Sequence, residues 1–231
     1  MKVYLSKINE SWIIDRVRAE WYQYKGAIST DSIDEADIIW IISPWLWKKE
    51  KKKTLRNKHV VCSIYHFEDN DFKNSGLRNF KKRDKYVDTY HVISKKTLKE
   101  LEQLTNKKIV YIPFWVNQNI WFPIEDRESL RSKYKIPNNS YVVGSFQRDT
   151  EGKDLISPKL IKGPDQFLKI VNQLNQIHDN LIILLAGKRR QFVISELEKL
   201  GIHYVYREMV DDSILNELYN CLDLYVVASR K

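Results

Sequence analysis

Short apolar runs rich in β-branched residues recur along the chain, each separated from the next by a stretch in which apolar residues return at helical spacing. In the first half the runs are Lys2 to Leu5, Asp37 to Ile42, His59 to Tyr65, Thr89 to Ile93 and Ile109 to Ile112. Their near-continuous hydrophobicity is the pattern of strands buried on both faces, as in a parallel sheet. Between them, Ile13, Val17, Trp21 and Tyr24 predict a helix over Trp12 to Tyr24, and Ser94 predicts the cap of a helix reaching Leu104. The second half repeats the scheme. Strands are predicted at Tyr141 to Phe146, Leu181 to Ala186, His203 to Tyr206 and Leu222 to Val227. Helices are predicted at Ile124 to Tyr134, Gly163 to Ile177, Gln191 to Leu200 and Asp211 to Asn220. The alternation predicts an α/β chain of two Rossmann-like domains. Pro113 and Pro123 bracket an aromatic connector, so the boundary is expected near Pro123, dividing the chain into 1–123 and 124–231.

Composition sharpens that division. All seven Trp lie before residue 123, and the 23 Lys/Arg there outnumber the 15 Asp/Glu, whereas the remainder holds 16 against 15. The basic excess and the aromatic rings therefore belong to the first domain, and the two domains are expected to meet different partners. Hydrophobic residues make up 43% of the 231 positions, which excludes disordered and low-complexity classes. No apolar run reaches the roughly 20 residues of a membrane-spanning helix, and the opening residues do not form a secretory signal. Cys62 and Cys221 each lie within apolar sequence without zinc-ligand spacing, and are expected to be buried thiols of a cytoplasmic protein.

Ligands of doubly wound sheets bind beyond the carboxyl ends of the strands. The richest such loop runs from Gly144 through Arg148 and Gly152 to Lys162, Gly163, Pro164 and Asp165. Lys162 stands before a Pro-started helix, whose free amides and dipole favour an anion, and Arg148 can add a second clamp. The plainer alternative is a long solvated loop leading into an ordinary helix.

The order of Gly144 to Arg148, Lys162 to Asp165, Leu184 to Gly187, Leu215 to Asp223 and Leu224 to Ser229 resembles the donor domain of family 4 glycosyltransferases of the GT-B fold. Looser similarity runs through Tyr65 and His66, Val92 to Ser94 and Ile112 to Asn117 in the first domain. The resemblance implies two Rossmann-like domains, a nucleotide-sugar substrate, and no metal or other cofactor. The first domain would take a glycan or lipid-linked acceptor and the second the donor, with hexose transfer expected to proceed with retention. Carried onto this chain, it puts Lys162 and Arg148 on the donor diphosphate. Gly144, Gly187, Glu208, Met209 and Val210 would lie against the nucleotide, and His66 against the transferred sugar as the catalytic side chain. Many family members place Arg directly after the Gly of this strand, where this chain has Ser145. Asn9, Glu10 and Ser11 would face the acceptor, or simply cap the helix at Trp12. The family also carries an acidic motif beyond the strand that ends at Ser229. The sequence stops first, so an incomplete second domain, with reduced stability or association through the face left open, is expected.

Two features stand outside that reading. Asp69, Asn70 and Asp71 match the metal-binding triplet of the other nucleotide-sugar fold, GT-A, although a second Rossmann-like half argues against it. Trp45 and Trp47 precede a basic run, Lys48 to Lys58. That combination suits an anionic membrane surface, giving a cytoplasmic protein peripheral to the membrane, or else a solvated helix with Trp in the core. A non-catalytic protein that binds nucleic acid or a membrane surface is the rival function, although no recognised nucleic-acid motif accompanies the basic run.

Overall fold

The computed structural model describes residues 1–7, 13–68 and 70–230. The chain divides into two units, Met1–Val116 and Asn117–Lys231. The division precedes the expected one at Pro123 because the end of the connector packs on the second unit. Phe122 exchanges backbone hydrogen bonds with the Asn216 side chain at 3.3 and 3.1 Å, and Trp121 meets Tyr219 edge to face.

The first unit contains β1 (Val3–Leu5), α1 (Ile13–Lys25), β2 (Ile38–Ile41), α2 (Lys52–Arg56), β3 (His59–Ile64), α3 (Asn74–Asp84), β4 (Thr89–Val92), α4 (Lys95–Glu102) and β5 (Lys108–Tyr111). Its sheet has the order β1-β2-β3-β4-β5, and every pairing is parallel. Alternation along the strands gives the sheet two apolar faces. On one, Trp40 packs edge to face on Trp21 of α1, and on the other Tyr90 stacks on Phe80 of α3. Ser29 bridges the free side of β1, so chain flanks β1 on both sides as the winding reverses. Ser94 caps α4 as expected, accepting from the Thr97 amide at 3.1 Å. Helix α3 escapes the apolar period because only Leu77 and Phe80 of its eleven residues are apolar beyond a Gly. Asn9, Glu10 and Ser11 lie outside the described residues, as does Asp69.

The second unit contains α5 (Arg127–Lys133), β6 (Tyr141–Ser145), α6 (Pro164–Asn175), β7 (Leu181–Ala186), α7 (Gln191–Leu200), β8 (Tyr204–Arg207), α8 (Asp212–Asn220) and β9 (Leu224–Tyr225). Its sheet is parallel throughout, in the order β8-β7-β6-β9. Val143, Ile183 and Leu185 pack with Phe167, Val171, Val193 and Leu197 of α6 and α7. The alternate residues Val142, Leu184 and Ala186 pack with Leu130, Leu218 and Cys221, from α5 to the end of α8. Chain winding reverses at β6, since β7 lies on one side of it and β9 on the other. Both cysteines are free and buried, and burial pushes each thiol up to about 11. No described helix is long and apolar enough to cross a membrane.

Candidate functional site

The carboxyl end of β6 is where a doubly wound sheet presents a crevice, and three loops converge there. The first leaves β6 through Phe146, Gln147 and Arg148. An excursion then separates Arg148 from Lys162 in sequence, but the structure closes it at its base. The Lys159 amide donates to the Asp149 carbonyl at 2.7 Å, and Thr150 bridges Pro158. Arg148 and Lys162, both exposed, thus flank the two ends of a closed loop rather than the ends of an open insertion.

The second loop turns into α6. Leu160–Lys162 form one turn of 3-10 helix, and Gly163 adopts the left-handed conformation at φ 67° as the cap before Pro164. The third is the segment after β9. The Ala228 carbonyl lies so close to Gly163 that an added Cβ would stand 1.9 Å from its oxygen. Ser229 donates to the Gln147 side chain at 2.8 Å, and the Arg230 amide to the Ile161 carbonyl at 3.0 Å. The guanidinium of Arg230 spans both oxygens of Asp165 at 2.9 and 2.5 Å, which holds that carboxyl down at about 2.

At the start of α6, Asp165 stands in the first turn and Arg230 balances its charge. Lys162 makes no salt bridge with a described residue, so its ammonium is available to a ligand.

The other expected residues divide. Gly187 ends β7 at φ 87°, donating to the Arg207 carbonyl and accepting from the Tyr206 hydroxyl at 3.1 Å, a turn that favours glycine. Glu208 and Met209 are exposed and Val210 half-buried in the loop between β8 and α8. All four stand at carboxyl ends of strands in the same unit. Gly144 does not: it is buried within β6, paired with Leu184 and Tyr225, and an added Cβ would meet Leu222 at 2.4 Å. Its role is packing, correcting the expectation that it approaches a nucleotide.

Sequence reasoning missed the buried pair beneath this site. Arg190 precedes α7 and is 1% exposed, and Asp149 is 2% exposed. Arg190 Nε and Asp149 Oδ2 are 3.6 Å apart, a distance of ion pairing without a hydrogen bond. Burial raises the Asp149 carboxyl to about 6; Arg190 and the Phe192 and Val193 amides act the other way. In the sequence the two are single charged residues in separate loops, one after β6 and one after β7.

In the first unit, His66 follows β3, with its side chain exposed and without a hydrogen bond to a described residue. Asp71 accepts from the Glu68 amide at 2.7 Å, closing a turn. Trp47 is buried, 6% exposed, and stacks on Tyr86, which removes it from the expected membrane face, whereas Trp45 is 44% exposed. A cavity of about 460 Å³ lies under α1, lined by Trp21, Trp40, His91 and Trp115 among others. Its polar atoms are tied back into the protein. Trp40 donates to Ser63 at 2.9 Å, Ser63 pairs with His91 at 2.8 Å, and His91 with the Ile112 carbonyl at 2.8 Å. Burial lowers the His91 pKa, and the network places it in a structural role.

The two parallel units define a GT-B type α/β fold, two Rossmann-like units in one chain. No protein-family model and no curated protein sequence matches the chain. Among solved structures it is similar to Anabaena HepE in complex with UDP and glucose, at 14% identity and TM-score 0.66, covering 98% of this chain and 73% of that one. Sucrose-phosphate synthase from Thermosynechococcus elongatus matches at 14% identity and TM-score 0.63, over 94% of this chain and 53% of that one. A glycosyltransferase from Rickettsia africae matches at 16% identity and TM-score 0.56, over 96% and 58%. The chain thus spans about half to three-quarters of the length of the structures it resembles.

Proposed function

We propose that the protein is a glycosyltransferase moving a hexose, with retention, from a nucleotide-sugar to a glycan or lipid-linked acceptor. The observation that carries the reading is the closed loop that brings Arg148 and Lys162 to the carboxyl edge of β6, where the winding reverses. Two cations beside a left-handed glycine turn suit a doubly charged diphosphate. HepE, of similar fold, has been solved with UDP and glucose, which supports a uridine nucleotide as the first donor to test. In this reading Gly187 and the loop Glu208 to Val210 meet the nucleoside. His66 donates a hydrogen bond to the transferred sugar as charge develops.

Calorimetry with UDP, and with uridine as control, tests the diphosphate clamp. Charge-assisted contacts contribute about 1.5 to 3 kcal/mol, so Lys162→Ala is expected to weaken UDP roughly ten- to more than a hundredfold. Uridine binding should be unchanged. Equal UDP affinity in both proteins, or equal weakening of uridine, overturns the assignment.

A further inference from the structure

We infer that the first unit carries a membrane-docking face built from two segments remote in sequence, and that it fits an anionic lipid surface. Lys52, Lys53 and Arg56 lie three and four positions apart on α2, so they form one stripe. Lys81, Lys82 and Lys85 do the same at the end of α3, where Lys85 retains helical geometry as the C-cap. The stripes are joined by an aromatic bridge. Trp47 stacks on Tyr86 at 5.8 Å, and the Arg56 guanidinium lies 5.4 Å from the centre of the same ring. Arg56 is thereby held beside the neighbour of Lys85.

All six cations are exposed, and none forms a salt bridge with a described residue. Of the acids in these segments, Glu50 is half-buried and Asp84 accepts from Tyr90 and Thr105 at 3.1 and 2.8 Å, and neither forms a salt bridge with the six cations. Charge of one sign on two neighbouring helices complements an anionic surface, and each such residue near a lipid headgroup gains about a fivefold factor in binding.

Trp45 decides between a lipid surface and a nucleic acid. Binding of single strands relies on a series of rings on which bases stack. Here Trp47 is buried and Tyr86 is covered by Trp47 and Arg56, so the face offers no such series. Trp45 alone of this group projects, next to Pro44 and close to Lys48, as an interfacial anchor would.

The test is sedimentation of the whole chain with vesicles of phosphatidylcholine alone or mixed with phosphatidylserine, at low and physiological salt. Binding is expected only to the mixed vesicles, and it should weaken with salt. Replacing Lys52, Lys53, Lys81 and Lys82 together by Gln should weaken it roughly six hundredfold. The same replacement of Lys99, Lys107, Lys108 and Lys169, which removes equal charge elsewhere, should weaken it less than about tenfold. Trp45→Ala should weaken binding at every salt concentration. The inference is overturned by equal binding to both vesicle types, by equal losses in the two quadruple variants, or by an oligonucleotide that displaces the vesicles at physiological salt. UDP binding is measured separately, so failure here leaves the proposed donor site standing.

Discussion

Asp149 and Arg190 show what a single pair of residues does below the surface of a site. Both are buried at an ion-pair distance too long for a good hydrogen bond, so attraction offsets desolvation only in part. The Asp149 carboxyl therefore titrates near about 6, against roughly 3.9 in an unfolded chain. With a raised folded pKa, the associated stability is present below about pH 4 and is lost as pH rises through about 6. Asp149→Asn removes that titration. The stability of the parent relative to the variant should fall by on the order of 3 kcal/mol between those limits, measured by denaturant unfolding at several pH values. A constant difference across the range would sink the assignment. The backbone of Asp149 closes the loop separately, accepting from the Lys159 amide and donating to the Arg189 carbonyl.

Element α6 begins where two demands coincide. Gly163 must take a positive φ, and its Cα must allow the Ala228 carbonyl to pass. Gly201, which ends α7 at φ 66°, meets only the first demand, since open space surrounds its missing Cβ. Gly201→Ala should therefore cost about 1 kcal/mol, and Gly163→Ala distinctly more. Hydrogen exchange provides the sharper measurement. The Arg230 amide, bonded to Ile161, should lose protection in the Gly163 variant and keep it in the Gly201 variant. Similar protection in both would mean that the segment after β9 does not depend on the close approach.

At the scale of the whole molecule the decisive feature is two separate cores. Leu101 is fully buried in the first and Leu197 in the second. Each Leu→Ala change creates a cavity and typically costs about 2 to 5 kcal/mol. Calorimetric unfolding should show two transitions, with Leu101→Ala lowering one and Leu197→Ala the other. A single transition displaced equally by both variants would mean that the units unfold as one.

Apolar patterning alone determined most of this architecture, because a strand buried on both faces must be almost continuously apolar. The expected strands matched β1 to β9 within a few residues at their ends, and Ser94 was legible as a cap since capping is local chemistry. Helix α3 was not legible, because a helix that buries little more than Phe80 and Arg83 has almost no apolar period. Lys162 and Arg148 could be named from type and position, yet only the pairing of Asp149 with Lys159 decided that the intervening loop closes between them. Gly144 was misread because a glycine that admits Leu222 looks, in sequence, like one that admits a ligand. Trp47 and Trp45, two residues apart, were equivalent until the fold buried one against Tyr86 and left the other in solvent. Spacing fixes local geometry, but which atoms lie across from one another depends on contacts between distant segments, and these only the packed chain defines.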